Sequence, residues 1–298
     1  MSASMNAPMS APMTARPFYW SVRRELWENR SLWIAPLVVA TVAVLAFLVT
    51  VPSLPESVRG LSAPDPSGAH MAVHGPYGAA AMLAFATAFV VGVFYCLDAL
   101  QGERRDRSIL FWKSLPVSDR TTVLAKASIP LAVLPLLVFA VTTVTHVIML
   151  SVSGAVLLAT GTSVGMMWQH VEPFPSALTV VYAVIVLALW HAPIYGGLLL
   201  VSAWARRTAL LWAILPLVAV AGIERIVFGT TRFLSFLQHL LVGWAERAFA
   251  FEDDMMGNLL SSLTPVKVLS TPSLWVGLVF AAACLAAAIR LRRHREPS

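Results

Sequence analysis

Six separate runs of about 20 mainly apolar residues, none with a charge near its middle, constrain this chain more than any other feature, because an α-helix needs about that many to cross a hydrocarbon core about 30 Å thick. The runs cover roughly 32–51, 77–97, 128–150, 178–205, 208–227 and 274–291. Unpaired backbone groups are too costly in lipid to persist, and the runs lack the alternation of barrel strands. The predicted fold is therefore an all-α membrane protein with six transmembrane helices. Composition agrees: 58% of the 298 residues are hydrophobic and 12% charged, against about half and about a quarter in soluble domains. Cys96 and Cys284 are each embedded in an apolar run and read as small core residues. Residues 1–16, rich in Met, Ala, Ser and Pro, are expected to form a disordered tail without the apolar block of a cleaved signal. Residues 17–298 then form one transmembrane domain, with the first span as an uncleaved anchor.

The net charge of +6 fits either nucleic acid or anionic lipid as a partner. The charges lie between the apolar runs, which selects the lipid bilayer and argues against nucleic acid. Lys and Arg accumulate on the cytoplasmic side of short loops. With the amino terminus inside, the tail and first approach (Arg16 to Arg30), the loop from Arg104 to Lys126, the Arg206–Arg207 pair and the carboxy-terminal Arg290 to Arg295 place sixteen of the 21 basic residues there. Arg59, Arg225, Arg232, Arg247 and Lys267 remain outside, diluted by Glu224, Glu246, Glu252, Asp253 and Asp254. Both termini are thus expected in the cytoplasm of a multi-pass protein in the inner (plasma) membrane.

Phe233 to Phe251 imitates a seventh span. It carries Gln238, His239, Glu246 and Arg247, and each charge at a bilayer centre costs about 2.5 to 3.5 kcal/mol. Phe233, Leu237, Leu240, Leu241, Trp244 and Ala248 instead form the single apolar stripe of an amphipathic helix, expected on the outer face and dipping into the membrane. No internal repeat is evident, which removes one support for a secondary transporter.

The loop after the second span is the most patterned segment. Glu103 to Arg107 is a charged cluster; Ser108 to Trp112 is mainly apolar; Lys113, Ser114, Leu115 and Pro116 follow. Pro116 disfavours helix at the residue before it, Ser118 is placed to cap the next helix, and Asp119 suits its first turn. A short amphipathic helix at the end of two spans fits a groove on a cytoplasmic partner. The same pattern also fits a helix that only rests on the membrane surface.

This run resembles the loop between the second and third spans of type-2 ABC transporter permeases, through Glu103, Leu110, Leu115, Pro116, Ser118 and Lys126. One departure is the Arg-Arg-Asp-Arg that follows Glu103, where many members have small residues. Phe18 to Glu28, with Phe18, Tyr19, Trp20 and Trp27 beside Arg23 and Arg24, is similar to the family's amino-terminal interfacial helix, and the amphipathic segment after the fifth span to its external re-entrant helices. The resemblance implies a permease subunit of an exporter, dimeric with a second copy of itself or a related permease. It implies a cytoplasmic coupling helix in which Glu103, Ile109, Leu110, Phe111, Trp112, Leu115 and Pro116 engage an ATP-binding subunit. The chain has no GxxxxGK phosphate loop, so ATP and Mg are expected on that partner, and no cofactor on this chain.

Within the spans, Ala80, Ala84, Ala88 and Gly92 make a small-residue face that permits close helix approach. Pro193 with Gly196 and Gly197, and Pro216, mark kinks that either open a cavity or accommodate packing. The deepest polar groups, Thr142, Thr145, His146 and His191, either line a pathway or hydrogen-bond a neighbouring helix. His70 and His74 have helical spacing for a shared metal but are expected in a Gly and Pro loop without a third ligand nearby, so no metal site is expected. No facing set of nucleophile, base or metal ligands marks a membrane-embedded enzyme, and no mid-span carboxylate marks an ion-coupled transporter. An uncharged, aromatic interior suits a hydrophobic or amphiphilic cargo.

Overall fold

The computed structural model describes residues 15–61, 67–105, 118–165, 167, 173–205, 207–249 and 263–294. Among them the only β pairing is one isolated bridge between Phe249 and Leu263. The helices are α1 (Ala15–Glu28), α2 (Ser31–Thr50), α3 (Leu54–Gly60), α4 (Ser67–Ala99), α5 (Gln101–Arg105), α6 (Asp119–Ser128), α7 (Leu134–Ala159), α8 (Pro173–Trp204), α9 (Ala209–Phe228), α10 (Arg232–Ala248), α11 (Pro265–Leu269) and α12 (Pro272–His294). Six stretches are long and apolar enough to cross a membrane: Ser31–Gly60, Ser67–Glu103, Asp119–Ala159, Phe174–Trp204, Ala209–Phe228 and Pro272–Arg293. The chain is an all-α, multi-pass membrane protein.

The helices outrun the apolar stretches that betrayed them. α4 begins about ten residues before Tyr77, and the third span starts at Asp119 instead of Ser128. Apolarity marks the part of a helix that lipid can cover, whereas propagation needs only an unbroken ladder of backbone bonds. His70 and His74 consequently lie on the first turns of α4, not in a loop, with their rings stacked 5.8 Å apart. Among the described residues no group of three or more His, Cys, Asp or Glu is placed to hold a metal ion.

The third span also carries its own interruption. Ser118 is extended and accepts a hydrogen bond from Thr121 N at 3.1 Å, the cap its sequence position promised. Twelve residues after Ser118, Pro130 has no N–H to donate, and the chain widens into a π-turn over Ile129–Val133, where Leu134 N reaches back to Ile129 O.

α8 is the packing hub, touching α4, α7, α10 and, most extensively, α12. Small residues set how near the helices come. Ala80, Ala84, Ala88 and Gly92 are all buried on α4, and a methyl at Gly92 would stand 3.0 Å from the Tyr195 ring. A methyl at Gly196 would meet the Cα of Ala281 at 3.0 Å, and one at Gly277 would meet Pro193 Cγ at 3.2 Å. Pro193, Gly196 and Gly197 thus belong to a close α8–α12 seam. α9 is the opposite case: Ala209 alone among its residues is buried.

The predicted amphipathic helix is α10. Trp244 and Ala248 are buried and Phe233, Leu237 and Leu240 half-buried, as the stripe requires, but Leu241, at the edge of the stripe, is 42% exposed. Glu224 of α9 starts this helix, accepting from Arg232 N at 2.8 Å and Phe233 N at 2.7 Å where Thr231 at the N-cap makes no capping bond with its side chain. The C-terminal half of α10 runs antiparallel to α8, with His239 against Trp190 and Phe249 against Tyr182. Trp190 lies about 21 Å from the Trp204 end of α8 at 1.5 Å per residue. α10 therefore packs alongside the middle of a span and not beyond its end.

Candidate functional site

Charge-bearing side chains from four separate parts of the chain meet at one end of the bundle. α1 contributes Glu25, on the face shared with Val22 and Asn29, turned toward α6. α5 contributes Glu103, α6 contributes Asp119 and Lys126, and the last turns of α12 contribute Arg292. Glu25, Glu103, Lys126 and Arg292 are each less than a tenth exposed.

Lys126 is the centre. Its Nζ donates to Glu25 Oε1 at 2.7 Å and lies 3.2 Å from Glu103 Oε1. Arg292 Nη1 donates to Glu103 Oε2 at 2.6 Å, and its Nε donates to Asp119 Oδ1 at 3.0 Å. Tyr95 of α4 closes the other side, its hydroxyl donating to Glu25 Oε2 at 2.9 Å. Three carboxylates thus share two cations and a phenol. Burying ions is costly unless geometry and additional hydrogen bonds offset desolvation, and here two charge-assisted bonds, Lys126 to Glu25 and Arg292 to Glu103, are as short as strong ones are.

The backbone that presents Glu103 is itself pinned. α4 breaks at Leu100, and the buried Ser202 of α8 fills that break: its Oγ donates to Leu97 O at 2.7 Å and accepts from Leu100 N and Gln101 N at 3.1 and 3.0 Å. Gln101 Oε1 in turn accepts from Ala209 N at 2.9 Å, capping α9. Residues 97–103 are therefore a joint on which α4, α5, α8 and α9 converge. Chemically this arrangement holds elements together through opposite charges.

Both roots of the 106–117 segment end in this network, since α5 stops at Arg105 and α6 starts at Asp119. Of the residues expected to engage an ATPase, Glu103 is here, while Ile109, Leu110, Phe111, Trp112, Leu115 and Pro116 lie outside the described residues. Glu25 and Arg292 were not singled out by sequence reasoning. Glu25 was overshadowed by the aromatics of its helix, and Arg292 registered only as one positive charge among several. The available signal was a charged residue on the inward face of an otherwise apolar turn, as Lys126 stands one turn from Val123 and beside Ala127.

The polar residues of the spans do not converge. His146 Nε2 lies 3.1 Å from Tyr77 O on α4, and Tyr77 in turn meets Ser153 at 3.2 Å. Thr145 bonds its own helix at Val141 O. Thr142 is buried, 2% exposed, with its hydroxyl unpaired. His191 instead turns to α10, its Nε2 3.1 Å from Leu241 O, while the neighbouring Trp190 Nε1 donates to Leu240 O at 3.1 Å.

Fold and site together define a helical multi-pass membrane protein whose spans are tied at one end by a buried ionic network. Compared with protein-family models and with curated proteins, the chain matches none.

Proposed function

We propose that this chain is the membrane subunit of an ATP-driven transporter of the type-2 ABC permease kind, and that the buried network passes movement of the 106–117 segment to the spans. The observation that supports this most is the double grip of Arg292, which holds Glu103 at one root of that segment and Asp119 at the other. Through Lys126 and Glu25 the same network reaches the third span and α1. A pull on the segment then acts on all of these elements at once, as a transmission element requires. On this reading the ionic end faces the cytoplasm, α1 lies at the interface, α10 dips in from the other side, and a separate subunit hydrolyses ATP. The chain works with a second copy of itself or a related permease, and exports a hydrophobic or amphiphilic cargo.

The test is reconstitution with the cognate ATPase in proteoliposomes. Trp112→Ala, Phe111→Ala and Leu115→Ala each truncate an anchor of the docking helix, and loss of a central anchor weakens an interface by about 2 kcal/mol or more. Reduced ATPase association or uncoupled hydrolysis, with normal insertion, is the expected result. Wild-type coupling in all three variants would reject the proposal.

A further inference from the structure

α1 has a second face, and nothing in the described protein covers it. At 100° per residue Trp20, Arg23 and Trp27 fall on one stripe opposite Glu25, the residue that anchors α1 to the bundle. Trp20 and Trp27 are 58% and 70% exposed, and Tyr19 beside them is 58% exposed. The guanidinium of Arg23 lies between the two indoles, 5.1 Å from the Trp20 ring and 4.9 Å from the Trp27 ring. Its neighbour Arg24 is engaged differently, with Glu28 at 2.6 Å. Among the described residues no carboxylate pairs with Arg23.

We infer that Trp20, Arg23 and Trp27 form a clamp for the phosphate of an anionic phospholipid. Three properties of the stripe select that ligand. Indole rings favour the headgroup level of a bilayer, where one edge is apolar and the other wet. A guanidinium 5.1 and 4.9 Å from two indole centroids is attracted to both rings, and its planar fork matches phosphate oxygens bidentately. The location adds the third: α1 precedes the first membrane-long helix by only Asn29 and Arg30, so its outward face stands at the level where headgroups lie. The rings fix the guanidinium in place before the ligand arrives, so little side-chain freedom is lost on binding. A scattering of surface lysines lacks that property. The inference needs only the multi-pass membrane fold and is independent of the transporter reading.

Native mass spectrometry of the detergent-purified full chain tests it, with phosphatidylglycerol, phosphatidylcholine or inorganic phosphate added as separate probes. Phosphatidylglycerol should be retained in preference to phosphatidylcholine. Arg23→Gln should lower that retention by clearly more than the about fivefold expected from removing one basic residue at an anionic surface. Trp20→Ala should lower it in the same direction through loss of a cation–π contact, and Arg30→Gln, an exposed arginine outside the clamp, should lower it by no more than that general factor. Equal retention in Arg23→Gln and wild type overturns the clamp, as does an equal loss in Arg30→Gln, which would mean unspecific charge attraction. Displacement of the lipid by millimolar inorganic phosphate overturns the lipid as ligand in favour of a free anion. Unfolding of Arg23→Gln is checked by its thermal transition, and if that is lowered, Trp20→Ala alone decides.

Discussion

The ionic end of the bundle and the seam between α8 and α10 fasten helices by opposite means. At the ionic end, Lys126 and Arg292 tie α1, α5 and α6 to α12 through full charges at 2.6 to 3.2 Å. At the seam, Trp190 and His191 reach the backbone carbonyls of Leu240 and Leu241 at 3.1 Å. The difference teaches what depth permits. Near the ends of spanning helices a charged side chain is tolerated if it is paired, whereas at mid-span the cost of a charge steepens and neutral donors take its place. It also sets strength. Loss of any one member of a complete ionic network is costly, because the partner left behind stays buried and uncompensated; a neutral bond to a carbonyl already serving its own helix is a modest increment.

The contrast is sharpened or broken by substitutions compared in one detergent by chemical unfolding. Lys126→Ala leaves Glu25 and Glu103 buried beside each other and should cost about 3 to 5 kcal/mol; a loss under about 1 kcal/mol would mean that water already enters the network. Arg292→Gln removes charge-assisted bonds but leaves Glu103 with Lys126 and Asp119 partly in solvent, so about 2 kcal/mol is expected. Trp190→Phe deletes one neutral bond at the seam and should cost about 1 kcal/mol. If it cost as much as Lys126→Ala, depth would not be the organising variable. Arg24→Ala breaks the pair with Glu28, whose side chain is 51% exposed, and should change stability by less than about 1 kcal/mol, fading as salt is raised.

How much of this was legible beforehand follows from the range of the forces involved. The six spans, the Ser118 cap, the small-residue face of α4 and most of the α10 stripe are local patterns, written in residues a few positions apart, and all are present. Helix ends were misjudged where polar residues extend a helix past its apolar run, as at Ser67 and Asp119. The ionic network was not readable as a unit. Glu103 and Lys126 were noted as parts of one loop pattern, but Glu25 and Arg292 sit 101 and 189 positions from their partners, and no periodicity reports which distant charges will be neighbours. The pairing of His191 with a carbonyl of α10 was hidden in the same way, since the acceptor is backbone and leaves no mark in the side-chain sequence.

The contact between α8 and α12 has a mechanical consequence. With Gly196 beneath the Ala281 backbone and Gly277 beneath the Pro193 ring, no layer of flexible side chains separates the two helices at those points. Sliding one past the other would drive main chain against main chain, so the two spans travel together as one strut. Arg292 stands at the foot of that strut and Trp190 halfway up it. A tilt at the foot would therefore reach the mid-height anchor of α10 without being absorbed on the way, as along a lever whose stiffness is set by two missing methyl groups.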